Sequence, residues 1–201
     1  MGIEIEKKYP ITERNIEDIE SKLNFLNEKR FVDEYFDNQM YTLTKKDVWL
    51  RARAGKFELK VPMGRDGAHH VDQYQEFEDP DEINRYLGFD TQKSLAENLA
   101  VAGYAPFCAI ETTRKTFSDG KRTVTLDATD FGYSIAEIEL MVENQSQASM
   151  AVAEIDELAR SFHLPEKAVR GKVIEYLLRN DPDHFDALIA SGTIRPDQLK
   201  D

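Results

Sequence analysis

Polar and apolar residues alternate with a period of two in five separate segments, and each polar set carries charge. Glu4, Glu6 and Lys8 interleave with Ile3 and Ile5; Trp49, Arg51 and Arg53 with Val48, Leu50 and Ala52; Glu58 and Lys60 with Phe57, Leu59 and Val61. Farther along, Thr123, Thr125 and Asp127 interleave with Val124 and Leu126, and Glu137 and Glu139 with Ile138 and Leu140. Successive side chains of a strand point to opposite faces, so each segment predicts a strand with one charged and one apolar face.

The remaining elements follow from periodicity and punctuation. Residues 2–8 predict the first strand, and Pro10 and Thr12 open a helix whose apolar stripe is Ile16, Ile19, Leu23 and Leu26. Residues 31–38, around Tyr35 and Phe36, predict a second strand; residues 47–53 and 56–62 predict a hairpin turning near Ala54-Gly55. Gly64 to Gly67 reads as a loop, and residues 71–78 as the next strand. Residues 80–103 form a polar helical insert with Ile83, Tyr86 and Leu87 on one face. Three strands follow at 107–117, 121–128 and 134–142, the first two joined by a tight turn at Ser118-Asp119-Gly120. The C-terminal part, about 147–190, is helical, with stripes at Ala151, Ile155, Leu158 and Phe162 and at Val169, Val173 and Leu177. About eight strands with peripheral helices define an α+β chain of antiparallel hairpins, read as one domain over residues 1–201.

Burying unpaired charge is prohibitive, so the charged faces must pair, bind metal or line water, while the apolar faces need cover. A closed eight-stranded antiparallel barrel, with a polar lumen and helices packed outside, meets both demands and has room for one small ligand. Composition narrows the ligand. The net charge is -12, with 38 acidic and 26 basic residues, which argues against nonspecific binding to nucleic acid or anionic membrane. Cys108 is the single cysteine, which fits a reducing compartment, and no stretch approaches a transmembrane span or a signal peptide. The expectation is a soluble, cytoplasmic protein.

The lumen-facing set has two parts. Lys8, Arg51, Arg53 and Lys60 offer ammonium and guanidinium donors suited to phosphate oxygens. Glu4, Glu6, Asp127, Glu137 and Glu139 offer the carboxylates that hard divalent cations prefer. Both together suggest a metal-bound polyphosphate; cross-strand salt bridges alone are the alternative. Trp49 is either a core residue or a stacking surface at the cavity mouth. Other chemistry is weaker. Gly171-Lys172-Val173 lacks the upstream glycine and the Ser/Thr of a P-loop. His69-His70 reads as loop, His163 and His184 lack ligand-spaced partners, and Cys108 reads as core.

The E-x-E-x-K start at Glu4, Glu6 and Lys8 resembles the signature of the CYTH, or triphosphate tunnel metalloenzyme, superfamily. Further resemblance lies in Asp47–Arg53, Phe57–Lys60, Leu126–Tyr133, Ala136–Glu139 and Gly171–Leu177, and points to the thiamine triphosphatase branch. It implies an eight-stranded tunnel that hydrolyses a triphosphate, thiamine triphosphate or tripolyphosphate, to a diphosphate and orthophosphate with Mg²⁺ or Mn²⁺. The implied triphosphate ligands are Lys8, Arg51, Arg53, Lys60, Arg114 and Lys172, the last two on the resemblance alone. The implied metal ligands are Glu4, Glu6, Asp127, Glu137 and Glu139, with Glu76 a further acidic position and Trp49 a contact for the organic group. Glu6, with Lys8 beside it, is the implied catalytic pair for activating water. The same tunnel serves class IV adenylyl cyclases, which make cyclic AMP and pyrophosphate from ATP, so cyclisation is the alternative reaction and a noncatalytic polyphosphate-binding module the alternative class.

Overall fold

The computed structural model describes residues 3–66, 71–167 and 169–199. Its strands are β1 (Ile3–Tyr9), β2 (Asn24–Asp37), β3 (Trp49–Arg53), β4 (Lys56–Asp66), β5 (Val71–Phe77), β6 (Ala105–Ser118), β7 (Thr123–Thr129) and β8 (Ser134–Val142). They close into a barrel in the order β1-β5-β4-β3-β2-β6-β7-β8, with β8 returning to β1 through Ile3↔Val142 and Lys8↔Glu137. Every pairing is antiparallel. The period-two pattern therefore becomes an inside and an outside.

Among the described residues six helices cover the barrel: α1 (Glu13–Lys22), α2 (Pro80–Leu87), α3 (Leu95–Val101), α4 (Ala148–Ser161), α5 (Lys172–Asn180) and α6 (Pro182–Ser191). None is long and apolar enough to cross a membrane. Outward apolar residues of β1, β7 and β8, among them Ile5, Val124 and Ile138, bury against Ala151, Val152 and Ile155 of α4. Lys7 interrupts the apolar face of β1, and Asp156 of α4 answers it at 2.5 Å. On the opposite wall, Leu50 and Leu59 bury against Ile83 of α2 and Leu95 and Leu99 of α3.

The third cluster adds a helix that covers part of the barrel interior. Val173, Ile174 and Leu177 of α5 join Tyr35, Cys108 and Ile110, with Phe185 and Leu188 of α6 behind them. Cys108 and Ile110 share a strand face with Arg114, whose side chain enters the cavity. The lumen is thus charged on one side and apolar on the other, and α5 closes the apolar side. Cys108 is a core residue, and burial pushes its thiol far above the ordinary range.

Several boundaries differ from the sequence expectation. Helix α1 is capped by Thr12, whose side chain accepts from the Asn15 N–H, and ends at Lys22. Leu26 therefore lies not on its stripe but in β2, 55% exposed. Strand β2 starts at Asn24 rather than near residue 31 because it pairs with β6 along its whole length. Gly64, Arg65 and Asp66 extend β4 instead of forming a loop, past an irregularity between Pro62 and Gly64. Gly67 and His69-His70 lie outside the described residues, and Val169 precedes α5. The hairpin turn at Ala54-Gly55 holds φ values of 50° and 78°, the left-handed pair that a two-residue turn between twisted strands needs.

His184 of α6 is fully buried: it stacks on Tyr41 at 3.9 Å, and its Nε2 lies 2.8 Å from Thr44 Oγ1. Burial lowers its pKa, although Asp181 and Asp37 pull the other way. The unfolded chain therefore binds the extra proton first, and stability is lost as pH falls below the ordinary imidazole value. Between pH 7.5 and 5.5 this contribution, at most about 1.4 kcal/mol per pH unit for one proton, should appear in urea denaturation as a difference between two slopes. His184→Gln should be less stable at pH 7.5, and on acidification its stability should fall less, or rise more, than that of the wild type; equal slopes would remove His184 as a contributor.

Candidate active site

The barrel encloses a cavity of about 220 Å³. Strand alternation delivers Glu4, Glu6 and Lys8 from β1, Trp49 and Arg51 from β3, Lys60 from β4, Glu76 from β5, and Glu137 and Glu139 from β8. The ambiguous run Thr112 to Lys115 is resolved by register: Arg114 lies opposite Asp127, and its side chain enters the cavity. Lys172 joins from the first turn of α5. That helix starts at Gly171 without a side-chain cap, and Gly171 to Ile174 line the cavity, so its positive end faces it. A lysine is electrostatically misplaced at that end, and Asp127 compensates by accepting from its ammonium.

Each cation in the lining is oriented by a carboxylate. Asp127, 1% exposed, accepts Arg114 through both oxygens at 2.6 and 2.7 Å, and Glu137 takes the same guanidinium at 2.8 Å. Burial works against ionised Glu137, but Lys172, Arg114 and Lys8 outweigh it and hold the carboxyl well below the usual range. Arg51 meets Glu58 at 2.6 Å and Asp33 at 3.5 Å. Lys60 lies 2.5 Å from Glu4 and 2.6 Å from Glu76. Lys8 pairs with Glu6 and, at 3.1 Å, with Asp72. Burial opposes both ammonium groups, yet the surrounding carboxylates keep them protonated well above their ordinary range.

Two expected residues stand elsewhere. Arg53 is not in the cavity lining; it forks on Asp33 at 2.7 and 2.8 Å, with its guanidinium 3.7 Å from the Phe31 ring centre. It steadies the carboxylate that also meets Arg51. Asp127, expected as a metal ligand, lies beneath the lining with Arg114 and Lys172 on it. The carboxylates that do converge are Glu4, Glu6 and Glu139, whose oxygens lie within 4.8 Å of one another. Burial, then Glu6, pushes Glu4 up to about 8; burial, then Glu137, pushes Glu139 up to about 7. Three crowded carboxylates, Glu4 and Glu6 buried and Glu139 half-buried, form a donor set that fits a hard divalent cation.

Period-two reasoning missed residues that enter the lining singly. Tyr35, Asp47, Asp72 and Tyr74 come from the walls, and Thr193, Arg195 and Gln198 from the C-terminal segment. Trp49 lines the cavity and also packs against the apolar cluster, so it is at once a core residue and a cavity surface. Its indole N–H donates to Asp47 at 2.9 Å, and the Tyr74 hydroxyl donates to the same oxygen at 3.1 Å.

A closed antiparallel barrel with cations and clustered carboxylates facing one cavity defines a class of charge-lined tunnel. The chain belongs to the CYTH domain family, which matches residues 2–171. It is 26% identical to the thiamine-triphosphatase of Macaca fascicularis over 99% of this chain and 95% of that protein. The Homo sapiens thiamine-triphosphatase is 27% identical over the same shares. Its fold is similar to that of a solved protein from Pyrococcus horikoshii OT3, with a TM-score of 0.64 at 19% identity, covering 88% of this chain and 98% of that one.

Asp127 and Glu139 should behave oppositely on substitution. Asp127→Asn takes the carboxylate from the buried Lys172 ammonium and leaves Arg114 to Glu137, and should cost about 3–5 kcal/mol in urea denaturation. Glu139→Gln relieves like-charge crowding and should leave stability unchanged or raised. Equal losses in the two variants would contradict this division.

Proposed function

We propose that the protein is a metal-dependent triphosphatase that acts on an organic triphosphate, thiamine triphosphate being the substrate its relatives' names favour. One observation carries the reading: Lys8, Arg51, Lys60, Arg114 and Lys172 face the same small cavity as the Glu4, Glu6 and Glu139 cluster. Anion binding alone gains nothing from crowded carboxylates, and cation binding alone gains nothing from five bases facing the same cavity. The apolar wall supports an organic substrate over bare tripolyphosphate, because Trp49, Tyr35, Val173 and Ile174 line the cavity beside the bases.

The five bases hold the triphosphate and offset charge as it shifts toward the leaving diphosphate. Their carboxylate partners fix the donors before substrate arrives, so little reorganisation is needed at reaction. Glu4, Glu6 and Glu139 would hold Mg²⁺ or Mn²⁺, which when bound supplies Lewis-acid polarisation of phosphoryl oxygens. Glu6, kept close to Lys8, accepts a proton from the attacking water. The water oxygen bonds to the terminal phosphorus, the bridging P–O bond breaks, and orthophosphate and a diphosphate leave. Glu76 serves through Lys60, Arg53 through Asp33, and Asp127 and Glu137 by orienting Arg114.

The test is product analysis with Mg²⁺ or Mn²⁺ on thiamine triphosphate, tripolyphosphate and ATP. Orthophosphate should appear fastest from thiamine triphosphate, and Arg51→Ala should lower kcat/KM about 100-fold or more, the scale for one lost preorganised donor. Cyclic AMP with pyrophosphate would replace the hydrolase by a cyclase; tight binding without turnover would leave a binding module. Mn²⁺ binding, followed by electron paramagnetic resonance without substrate, should weaken in Glu139→Gln and persist in Asp127→Asn. The reverse result would move the metal away from the three-carboxylate corner.

A further inference from the structure

The family match ends at residue 171, yet the chain beyond it brings a further cation to the cavity. Arg195 lies on a segment that crosses the barrel end near Lys8. Its backbone is fixed at several points: Thr193 Oγ1 donates to the Thr44 carbonyl at 3.1 Å, and Ile194 is buried in the α5–α6 cluster. Gln198 accepts from the Arg195 N–H at 3.0 Å, and the Gln198 carbonyl takes the Arg170 guanidinium at 2.7 Å. A side chain on so well-anchored a segment is held ready for a ligand.

The contact Arg195 makes with Asp72 differs from those of the cavity floor. The floor carboxylates Asp127 and Asp33 are sealed from water, with side chains 0% and 2% exposed. Asp72 is 14% exposed and shared: Oδ1 lies 3.4 Å from Arg195 Nη1, and Oδ2 takes Lys8 Nζ at 3.1 Å. An anion arriving at this end can therefore take Arg195 while Asp72 stays neutralised by Lys8. Such an exchange strands no buried charge, which is the penalty that would block it on the floor.

We propose that Arg195 is a further substrate-binding residue, donating to the phosphate chain at the Lys8 end of the cavity in exchange for Asp72. This rests on the reading of the cavity as a triphosphate site. A structural latch would use the same contact, but it would weaken in the same direction whichever partner was removed.

The test measures tripolyphosphate and thiamine triphosphate kinetics in the full chain, with thermal melting to check the fold. Arg195→Ala should raise KM about 10-fold or more while kcat changes less, as for loss of a charge-assisted hydrogen bond. Arg195→Lys should recover part of the loss. Asp72→Asn should lower KM in the wild-type background and less in Arg195→Ala, where the release of Lys8 and the loss of one negative charge still act but no Arg195 is freed. An unchanged KM in Arg195→Ala, beside an active wild type, would overturn this inference alone. So would a KM raised alike by Arg195→Ala and Asp72→Asn, the mark of a latch. A wild type that neither binds nor turns over either triphosphate would overturn the cavity reading and this inference with it.

Discussion

Asp127 sits where water does not reach, accepting the Arg114 guanidinium through both oxygens and the Lys172 ammonium as well. Asp127 and Lys172, almost wholly removed from solvent, are tolerable there only while they remain in contact, and the partly exposed Arg114 adds to the compensation. The contact therefore fixes more than itself: it ties β6 to β7 in register and pins the first turn of α5 to the barrel. With Arg114 and Lys172 held from below, the binding face of the cavity is set before any ligand arrives. Beside them Glu4, Glu6 and Glu139 crowd together, with Lys60 on Glu4 and Lys8 on Glu6. Both kinds of charge thus face one cavity, each base held by a carboxylate and three carboxylates crowded together beside them.

The apolar part of the lumen does different work. Tyr35, Cys108 and Ile110 would waste a barrel interior if it were filled only by water, but α5 covers them with Val173, Ile174 and Leu177. One helix thus contributes both an apolar seal and, at its first residue, a base. This joins stability to chemistry: changes that loosen the seal also displace Lys172.

The charged strands are legible because glutamate, lysine and arginine alternating with aliphatic residues at period two match a pleated strand and no helical face. The barrel and most of the cavity residues follow from that alternation. What escapes it does so for identifiable reasons. Residues 24–30 show no apolar face, since β2 is mostly exposed there and is held by pairing with β6 alone. Thr112 to Lys115 is polar on both faces, so only the partner strand reveals that Arg114 points inward. Asp33, Asp47 and Asp72 stand outside the charged alternation, and their partners Arg53, Tyr74 and Lys8 are distant in sequence. Arg195 lies in a short irregular segment with no period to read. Arg53 and Asp127 are legible as inward-facing, but alternation cannot distinguish a group that meets ligand from one that braces its neighbour.

Barrel closure has a consequence for how the molecule comes into being. Strand β1 emerges first in the sequence, yet one of its two partners is β8, the last strand. Two of the three clustered carboxylates belong to β1 and the third to β8. Their meeting therefore waits on the longest-range pairing in the sheet, the kind that loop-closure entropy delays most. During synthesis the acidic corner cannot exist until nearly the whole barrel has been made. The same closing step removes the last open strand edges, so competence for chemistry and protection from edge-to-edge aggregation arise together.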